Sequence, residues 1–269
     1  MPTTSEELRE LATELFFVIP PPPGANTVRT DRYVLHCPDN SLIPFTGVGR
    51  LRFNEEQRDA SIAEIRQHFR DAGREGLTWW ISPDTTPADL AERLRADGVL
   101  PIEHPAVDPE LSAMVLDGDA TIGQINEGIV ARQVRNAEEF AVGSEIIWEC
   151  EQTSDQERDA FRPKLAGHYE QRHLSGASTT YLAFLDGEPI AQASASFQPG
   201  GAALNGAHTL PAFRGQGAYR ALVQARLTDA RERGLEGLAV QARAMSEPIL
   251  ARVGFRRIGT VKLLYDRLI

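Results

Sequence analysis

The sequence predicts an α/β chain made of two related halves, and three observations carry that reading. Residues 207–227 compress a strand, a glycine turn and a helix start into one run. Residues 181–197 read as a strand hairpin. Gly73-Arg74-Glu75-Gly76-Leu77 matches Gly234-Leu235-Glu236-Gly237-Leu238 in four of five positions, each with a helix before it and a strand after it.

Taken in chain order, Thr4 and Glu7 stand at capping-box spacing ahead of Leu8, Leu11, Leu15 and Phe16, so a first helix starts there. Pro20-Pro21-Pro22-Pro23-Gly24 ends it in an extended spacer, either a stiff connector or a groove ligand. A helix entered at Phe53-Asn54-Glu55-Glu56 runs to Gly73, followed by a strand from Thr78 to Ser82, a helix after Pro87 and the pair Gly98-Val99. Trp79 and Trp80 point to opposite faces of that strand, so at most one of them lines a cleft. The small, aperiodic stretch Asp117 to Gln124 is the expected linker, dividing the chain into 1–120 and 127–269.

The second half starts with a strand, Ile129 to Val134, and then Asn136 as a helix cap with Glu139 three residues on. Trp148 and Glu149 near the end of that helix serve either core packing or an acceptor site. Tyr181 to Leu185, Asp186-Gly187 and Pro189 to Phe197 form the hairpin, with Glu188 solvated. Ala207 to Leu210 read as a strand and Pro211 ends its ladder. The helix beyond Gly217 is marked by Leu222, Val223 and Leu227 and stops at Arg233-Gly234. A strand (Leu238 to Ala242), a helix entered at Pro248, Gly254-Phe255 and a last strand complete the chain.

With 269 residues the chain can bury one large core or two modest ones, and two domains fit better. The net charge of -10 argues against nucleic acid or anionic membrane as partner and favours cationic or neutral small substrates. Cys37 and Cys150 fall in different halves and read as buried thiols, without the spacing of a disulfide framework or zinc site. His168 and His173, five apart, face different sides of a helix, so no metal is expected. The acidic N-terminal helix excludes a secretory signal, and no apolar run approaches the ~20 residues that span a bilayer. A cytoplasmic location is the expectation.

The glycine turn carries the chemistry. Gly215 and Gly217 let the backbone come close to a ligand just where a helix presents free N–H groups and the positive end of its dipole. That makes an anion cradle, or else a plain turn. A P-loop would end Gly-Lys-Ser/Thr, but this turn ends Gly-Ala-Tyr. A dinucleotide fingerprint would need a third glycine where Arg220 stands and an acid where the next strand carries Arg243.

Arg214-Gly215-Gln216-Gly217-Ala218-Tyr219 resembles motif A of the Gcn5-related N-acetyltransferase (GNAT) superfamily, and the order of elements after it resembles motif B; the resemblance covers about 129–269. It implies an α+β fold of two mixed, mainly antiparallel sheets flanked by helices. It also implies acetyl-CoA as co-substrate, with Ala207, His208 and Thr209 along the pantetheine arm and Arg214, Gly215, Gln216, Gly217, Ala218, Tyr219 and Arg220 around the pyrophosphate. Ser246 aligns with a binding position in motif B. Tyr219 departs from the small residue of the family, so its side chain must turn away from the phosphates or the loop must sit slightly further out.

The implied activity is transfer of an acetyl group to a small-molecule or protein amine by direct attack. The alternatives are a catalytically silent acyl-CoA-binding regulator and a scaffold without ligand. Leu250 stands where many members have an acid Tyr, and Gln192, Ser194 and Ser196 occupy a strand that often carries a Glu base. His208 is the nearest candidate base, on a strand that can turn it inward or outward, and Tyr265 a candidate acid. The first half resembles the degenerate N-terminal half of tandem GNAT proteins. Glu55 and Glu56, with no glycines beside them, would repel a pyrophosphate there, which leaves a structural or substrate-shaping role.

Overall fold

A computed structural model describes residues 4–20, 26–38, 45–105, 107–173 and 176–268. Pro21, Pro22, Pro23 and Gly24 of the proline spacer lie outside the described residues. The helices are α1 (Glu6–Thr13), α2 (Leu15–Val18), α3 (Glu55–Asp71), α4 (Leu90–Ala96), α5 (Ala137–Glu151), α6 (Asp155–Phe161), α7 (Leu165–His173), α8 (Ala218–Glu232) and α9 (Glu247–Val253). The strands are β1 (Asn26–Arg29), β2 (Val34–Cys37), β3 (Gly47–Gly49), β4 (Gly76–Ile81), β5 (Leu100–Pro101), β6 (Glu110–Asp117), β7 (Ile129–Gln133), β8 (Ser178–Leu185), β9 (Glu188–Gln198), β10 (Gly201–Thr209), β11 (Gly237–Ala242) and β12 (Arg256–Arg267). Among the described residues no helix is long and apolar enough to cross a membrane. Ser5 Oγ accepts the backbone N–H of Leu8 at 3.1 Å at the start of α1.

The chain forms two compact units. The first comprises Arg9–Met114, Gln241–Ala251 and Arg256–Ile269, and the second Met1–Leu8, Val115–Val240 and Arg252–Phe255. They are interleaved, unlike the contiguous 1–120 and 127–269 division expected from the linker. The last strand is the reason: β12 lies antiparallel to β4, pairing Lys262 with Ile81 through to Arg267 with Gly76. Leu263 and Leu264 are both buried in that arrangement.

In the first unit β1, β2 and β3 form an antiparallel meander, β3 runs parallel to β4, and β12 follows beside β4. One face packs against α3 and α4 through Phe69, Ile65, Leu90, Leu94, Leu77 and Trp79. Each such side chain contributes about 1.5–3 kcal/mol by leaving water. Alternation along β4 sends Trp80 to the other face, where it stacks on Phe16 at 5.2 Å. Both tryptophans are packed, at 0% and 5% exposure, so neither lines an open cleft.

His36 shares that aromatic cluster, stacked on Phe17 at 5.1 Å with Nδ1 bonded to Thr27 Oγ1 at 2.8 Å. Burial, with a smaller contribution from the Arg29 charge, pushes its pKa down from 6.5 to about 4. The unfolded chain therefore takes up a proton that the folded chain refuses between those values, and stability falls as pH drops through that window. Urea denaturation is expected to show about 1–2 kcal/mol less stability at pH 5 than at pH 7 from this residue. His36→Phe should flatten that part of the slope; an unchanged pH dependence would remove His36 as its source.

The second unit repeats the plan. Strands β7, β8, β9 and β10 are successively antiparallel, and β10 runs parallel to β11. The turn between β8 and β9 is the two-residue Asp186-Gly187, both at positive φ (51° and 88°), as a tight hairpin requires. Helix α8 covers one sheet face through Ala218, Ala221 and Leu222, at the i, i+3, i+4 spacing of a buried stripe. α5 and α7 cover the other through Phe140, Ile146, Trp148 and Leu165. Asn136 caps α5, accepting from the Glu139 N–H at 2.9 Å as its spacing predicts.

The repeat seen in the sequence extends to backbone detail. Gly73 and Gly234 end α3 and α8 with φ of 69° and 71°. Each is followed by the same closing bond at 2.9 Å, from Arg74 N to Phe69 O and from Leu235 N to Ala230 O. Gly98 and Gly254 likewise share positive φ, 88° and 109°.

Candidate active site

The site in the second unit is built where β10 passes into α8. A single helical turn, Pro211–Phe213, leads into Gly215 at φ 79° and Gly217 at φ 101°. A Cβ at Gly215 would meet nothing within 4 Å, and one at Gly217 only Asn126 at 3.9 Å. The glycines are there for backbone conformation, since packing does not demand them. Gly217 is the N-cap of α8 and supplies no side-chain cap, so the first-turn N–H groups of Ala218, Tyr219 and Arg220 face outward with the dipole behind them.

Side chains around the turn fold back from it. Arg214 Nε donates to Thr209 O at 3.2 Å, Gln216 Nε2 to Ala212 O at 3.3 Å, and Arg220 Nη1 to Gln124 O at 2.8 Å. The Tyr219 ring lies 5.9 Å from the buried Arg226 guanidinium, turned away from the turn.

Strand β10 supplies the second element. It pairs with β9 along its length, with a bulge between Asn205 and Ala207, but with β11 only at Ala202 and Ala203. Beyond Ala203 the two strands part, and the β11 side of Ala207, His208 and Thr209 has no ladder partner among the described residues. A sheet edge opened in this way offers backbone groups to an extended ligand, with Thr209 O already accepting from Arg214 Nε at 3.2 Å and Cys150 Sγ at 3.4 Å.

On the α5 side a cleft of about 310 Å³ opens over this strand. Phe140, Trp148 and Leu165 form apolar walls, and Thr180, Gln192, Asn205 and His208 the polar floor. His208 faces inward: its Nδ1 meets Gln192 Nε2 at 2.8 Å and its Nε2 meets Glu151 Oε1 at 3.1 Å. With the amide donating to Nδ1, the Nε2–H donates to the carboxylate. Trp148 proves to be both core and cleft wall, whereas Glu149 points outward to Arg158 at 3.8 Å. His168 lines the cleft and His173 stacks on Tyr169 at 4.6 Å, so the two do face different sides of α7.

Two residues singled out in the sequence are not gathered at this cleft. Tyr265 belongs to the first unit, paired with Thr78 and Leu100, its hydroxyl against Gly76. Ser246 is also in the first unit, at the entrance to α9, where its carbonyl accepts from Leu250 N at 3.0 Å. Glu151 was missed by sequence reasoning, because nothing local ties a helix C-terminus to a residue 57 positions on.

The counterpart of the turn in the first unit is closed. Asn54 Oδ1 accepts from Gln57 N at 2.8 Å and Gln57 Oε1 from Asn54 N at 3.2 Å, so the start of α3 is capped by its own side chains. Glu55 and Glu56 occupy its first turn and neutralise the dipole.

Residues 140–255 match the model of the acetyltransferase (GNAT) family. This segment is a GNAT domain. The match runs from within α5 through the glycine turn to Phe255, and so includes the open helix N-terminus, the parted strands and most of the cleft.

The fold is shared over nearly the whole chain with solved GNAT structures. A GCN5-related N-acetyltransferase from Kribbella flavida superposes with a TM-score of 0.70 at 19% identity, covering 98% of this chain and 96% of that one. A tandem GNAT protein from the clavulanic acid biosynthesis pathway does so with 0.65 at 18% identity, covering 96% and 88%. At those identities the likeness is one of fold. No curated protein matches the sequence.

Proposed function

We propose that the GNAT domain transfers an acetyl group from acetyl-CoA to an amine. The observation that carries this is the uncapped start of α8 behind Gly215 and Gly217, beside a strand whose edge is open from Ala207 to Thr209. The residues fit such a thioester. N–H groups from Gly215 to Arg220 match a pyrophosphate, and the β10 edge matches an amide-bearing pantetheine arm. Acetyl-CoA supplies an activated acyl carbon; the chain supplies position and proton transfer.

In this reading Gln192 and Glu151 orient His208, and its Nδ1 takes a proton from the acceptor ammonium as the Gln192 amide rotates to present its oxygen. The carboxylate of Glu151 then steadies the imidazolium. The freed amine attacks the thioester carbonyl, the C–N bond forms, the C–S bond breaks, and the second amine proton leaves with the thiolate. A strand N–H of β10 polarises the carbonyl oxygen, and holding both reactants on one rigid sheet supplies much of the rate.

His208→Ala is expected to lower kcat/KM for the amine by about 10²-fold. The dissociation constant for acetyl-CoA should stay within about twofold, and the acid limb of the pH–rate profile should flatten. An unchanged profile would remove His208 from proton transfer.

Leu250, 1% exposed, stands where an acid Tyr is common in the resemblance, which favours a second reading as an acyl-CoA-binding regulator. Thiol release across a panel of amines decides between them. A regulator shows a thermal shift with acetyl-CoA and no free thiol, an enzyme shows both, and a chain that does neither refutes the cradle.

A further inference from the structure

We infer that β7 is the interface of a symmetric dimer, in which it pairs antiparallel with β7 of a second copy of this chain about Ala131. Among the described residues β8 is the strand partner of β7, whose other edge ends the sheet. Val134, just past β7, donates its N–H to Thr180 O at 2.9 Å, so the even-numbered residues of the strand turn their backbone groups toward β8. Ala131 and Gln133 therefore turn theirs outward. Two of the outward groups are engaged locally: Ile129 N donates to Asn126 O at 2.9 Å, and Gln133 O accepts from Arg132 Nη1 at 3.0 Å. The edge still presents the N–H groups of Ala131 and Gln133 and the carbonyls of Ile129 and Ala131.

The charges at the two ends of this edge select its occupant. A two-fold axis through Ala131 sets each residue against one equally far along the partner strand: Val130 meets the partner's Arg132, and Ile129 the partner's Gln133. Glu127 and Arg135 lie just outside β7, both exposed and both four residues from Ala131, so the same axis brings Glu127 to the partner's Arg135 at each end. Opposite charges meet twice. At the axis a residue faces its own copy, where a charge would repel itself, and Ala131 is small and neutral. In this register the Ala131 N–H donates to the partner's Ala131 carbonyl, and the Gln133 N–H to the partner's Ile129 carbonyl.

The surface agrees with a partner there. Val130 is 60% exposed, and the aliphatic stem of the partner's Arg132 would cover it. The devices that usually protect a sheet edge are missing. β7 contains no proline and no bulge against β8, and its one charged residue, Arg132, is drawn back onto Glu139 at 2.6 Å and over the Phe184 ring at 4.5 Å. Behind the edge a groove of about 420 Å³ runs between β7 and α8, walled by the small side chains of Ala221, Ala225 and Thr228. Ile129 and Ala131 face α8, so the same residues of the partner would lie over the open side of that groove.

Sedimentation equilibrium of the full chain is expected to give a dimer at micromolar concentration. Val130→Lys, at an exposed position, sets a cation against the partner's Arg132 and should weaken the dimer by at least about tenfold, with an unchanged circular dichroism spectrum. Glu127→Arg and Arg135→Glu should each weaken it by about tenfold, since symmetry repeats the like-charge contact, and the two together should restore it. Hydrogen exchange should show the Ala131 and Gln133 amides gaining protection as concentration rises, while those of Val130 and Arg132, bonded to β8, are protected throughout. A chain that stays monomeric overturns the inference, whatever other strand its edge can take up. So does a dimer that ignores these substitutions, or one in which Ala131 and Gln133 gain no protection. A dimer weakened by both charge reversals and not restored by their combination overturns the pairing about Ala131.

Discussion

Gly217→Glu is expected to weaken acetyl-CoA binding by at least about 100-fold in calorimetry, while the chain stays folded. At φ 101° a residue with a Cβ is strained by about 1–2 kcal/mol, but Asn126, the nearest neighbour, is 3.9 Å from the added atom. For a chain of this length that strain lowers Tm by only a few degrees. The larger effect is electrostatic. A carboxylate at the N-cap takes the helix N–H groups for itself and repels a diphosphate. It would give α8 the closed, acidic start that Asn54, Gln57, Glu55 and Glu56 already give α3. Gly217→Ala, which adds the strain without the charge, should lose much less affinity. If the Glu variant binds as tightly as the parent, the anion site lies elsewhere.

Asp266→Ala is expected to cost the first unit about 3–5 kcal/mol in urea denaturation. Asp266 is 5% exposed, and its Oδ2 accepts from Trp79 Nε1 at 3.0 Å and Arg66 Nε at 2.8 Å. Truncation to Ala leaves a buried indole N–H and a guanidinium without their acceptor, and each pays its own desolvation. Asp266→Asn keeps an oxygen for Trp79 and loses only the charge, so it should cost less than half as much. The residue sits near the end of β12, hence removing 256–269 should destabilise the first unit more than Asp266→Ala does. Equal stability of parent and Ala variant would show that this buried cluster contributes nothing.

The endings of α3 and α8 match, but their starts do not. The same glycine conformation and the same closing hydrogen bond recur at Gly73 and Gly234, while the helix starts are chemical opposites. What is shared serves the fold, since any helix returning to a strand needs such a stop. What differs is the end that meets solvent and ligand.

Local chemistry, readable along the chain, determined most of the elements. Asn136 with Glu139 marked a helix start, Asp186-Gly187 a two-residue hairpin, Gly215 and Gly217 a turn open to close backbone approach, and the alternation at Trp79 and Trp80 two opposite faces. Each of these depends on a few consecutive residues and their own backbone energies. Tertiary structure alone decided where the last strand goes, because alternation tells which residues face in but not which neighbour completes the ladder, and β12 found that neighbour in β4. It also placed Tyr265 and Ser246 in the first unit and joined Gln192, His208 and Glu151 above one cleft. A helix end thus meets two neighbouring strands 57 positions on, as counted from Glu151 to His208, through burial of the surfaces around them, a long-range balance that no short run of residues encodes.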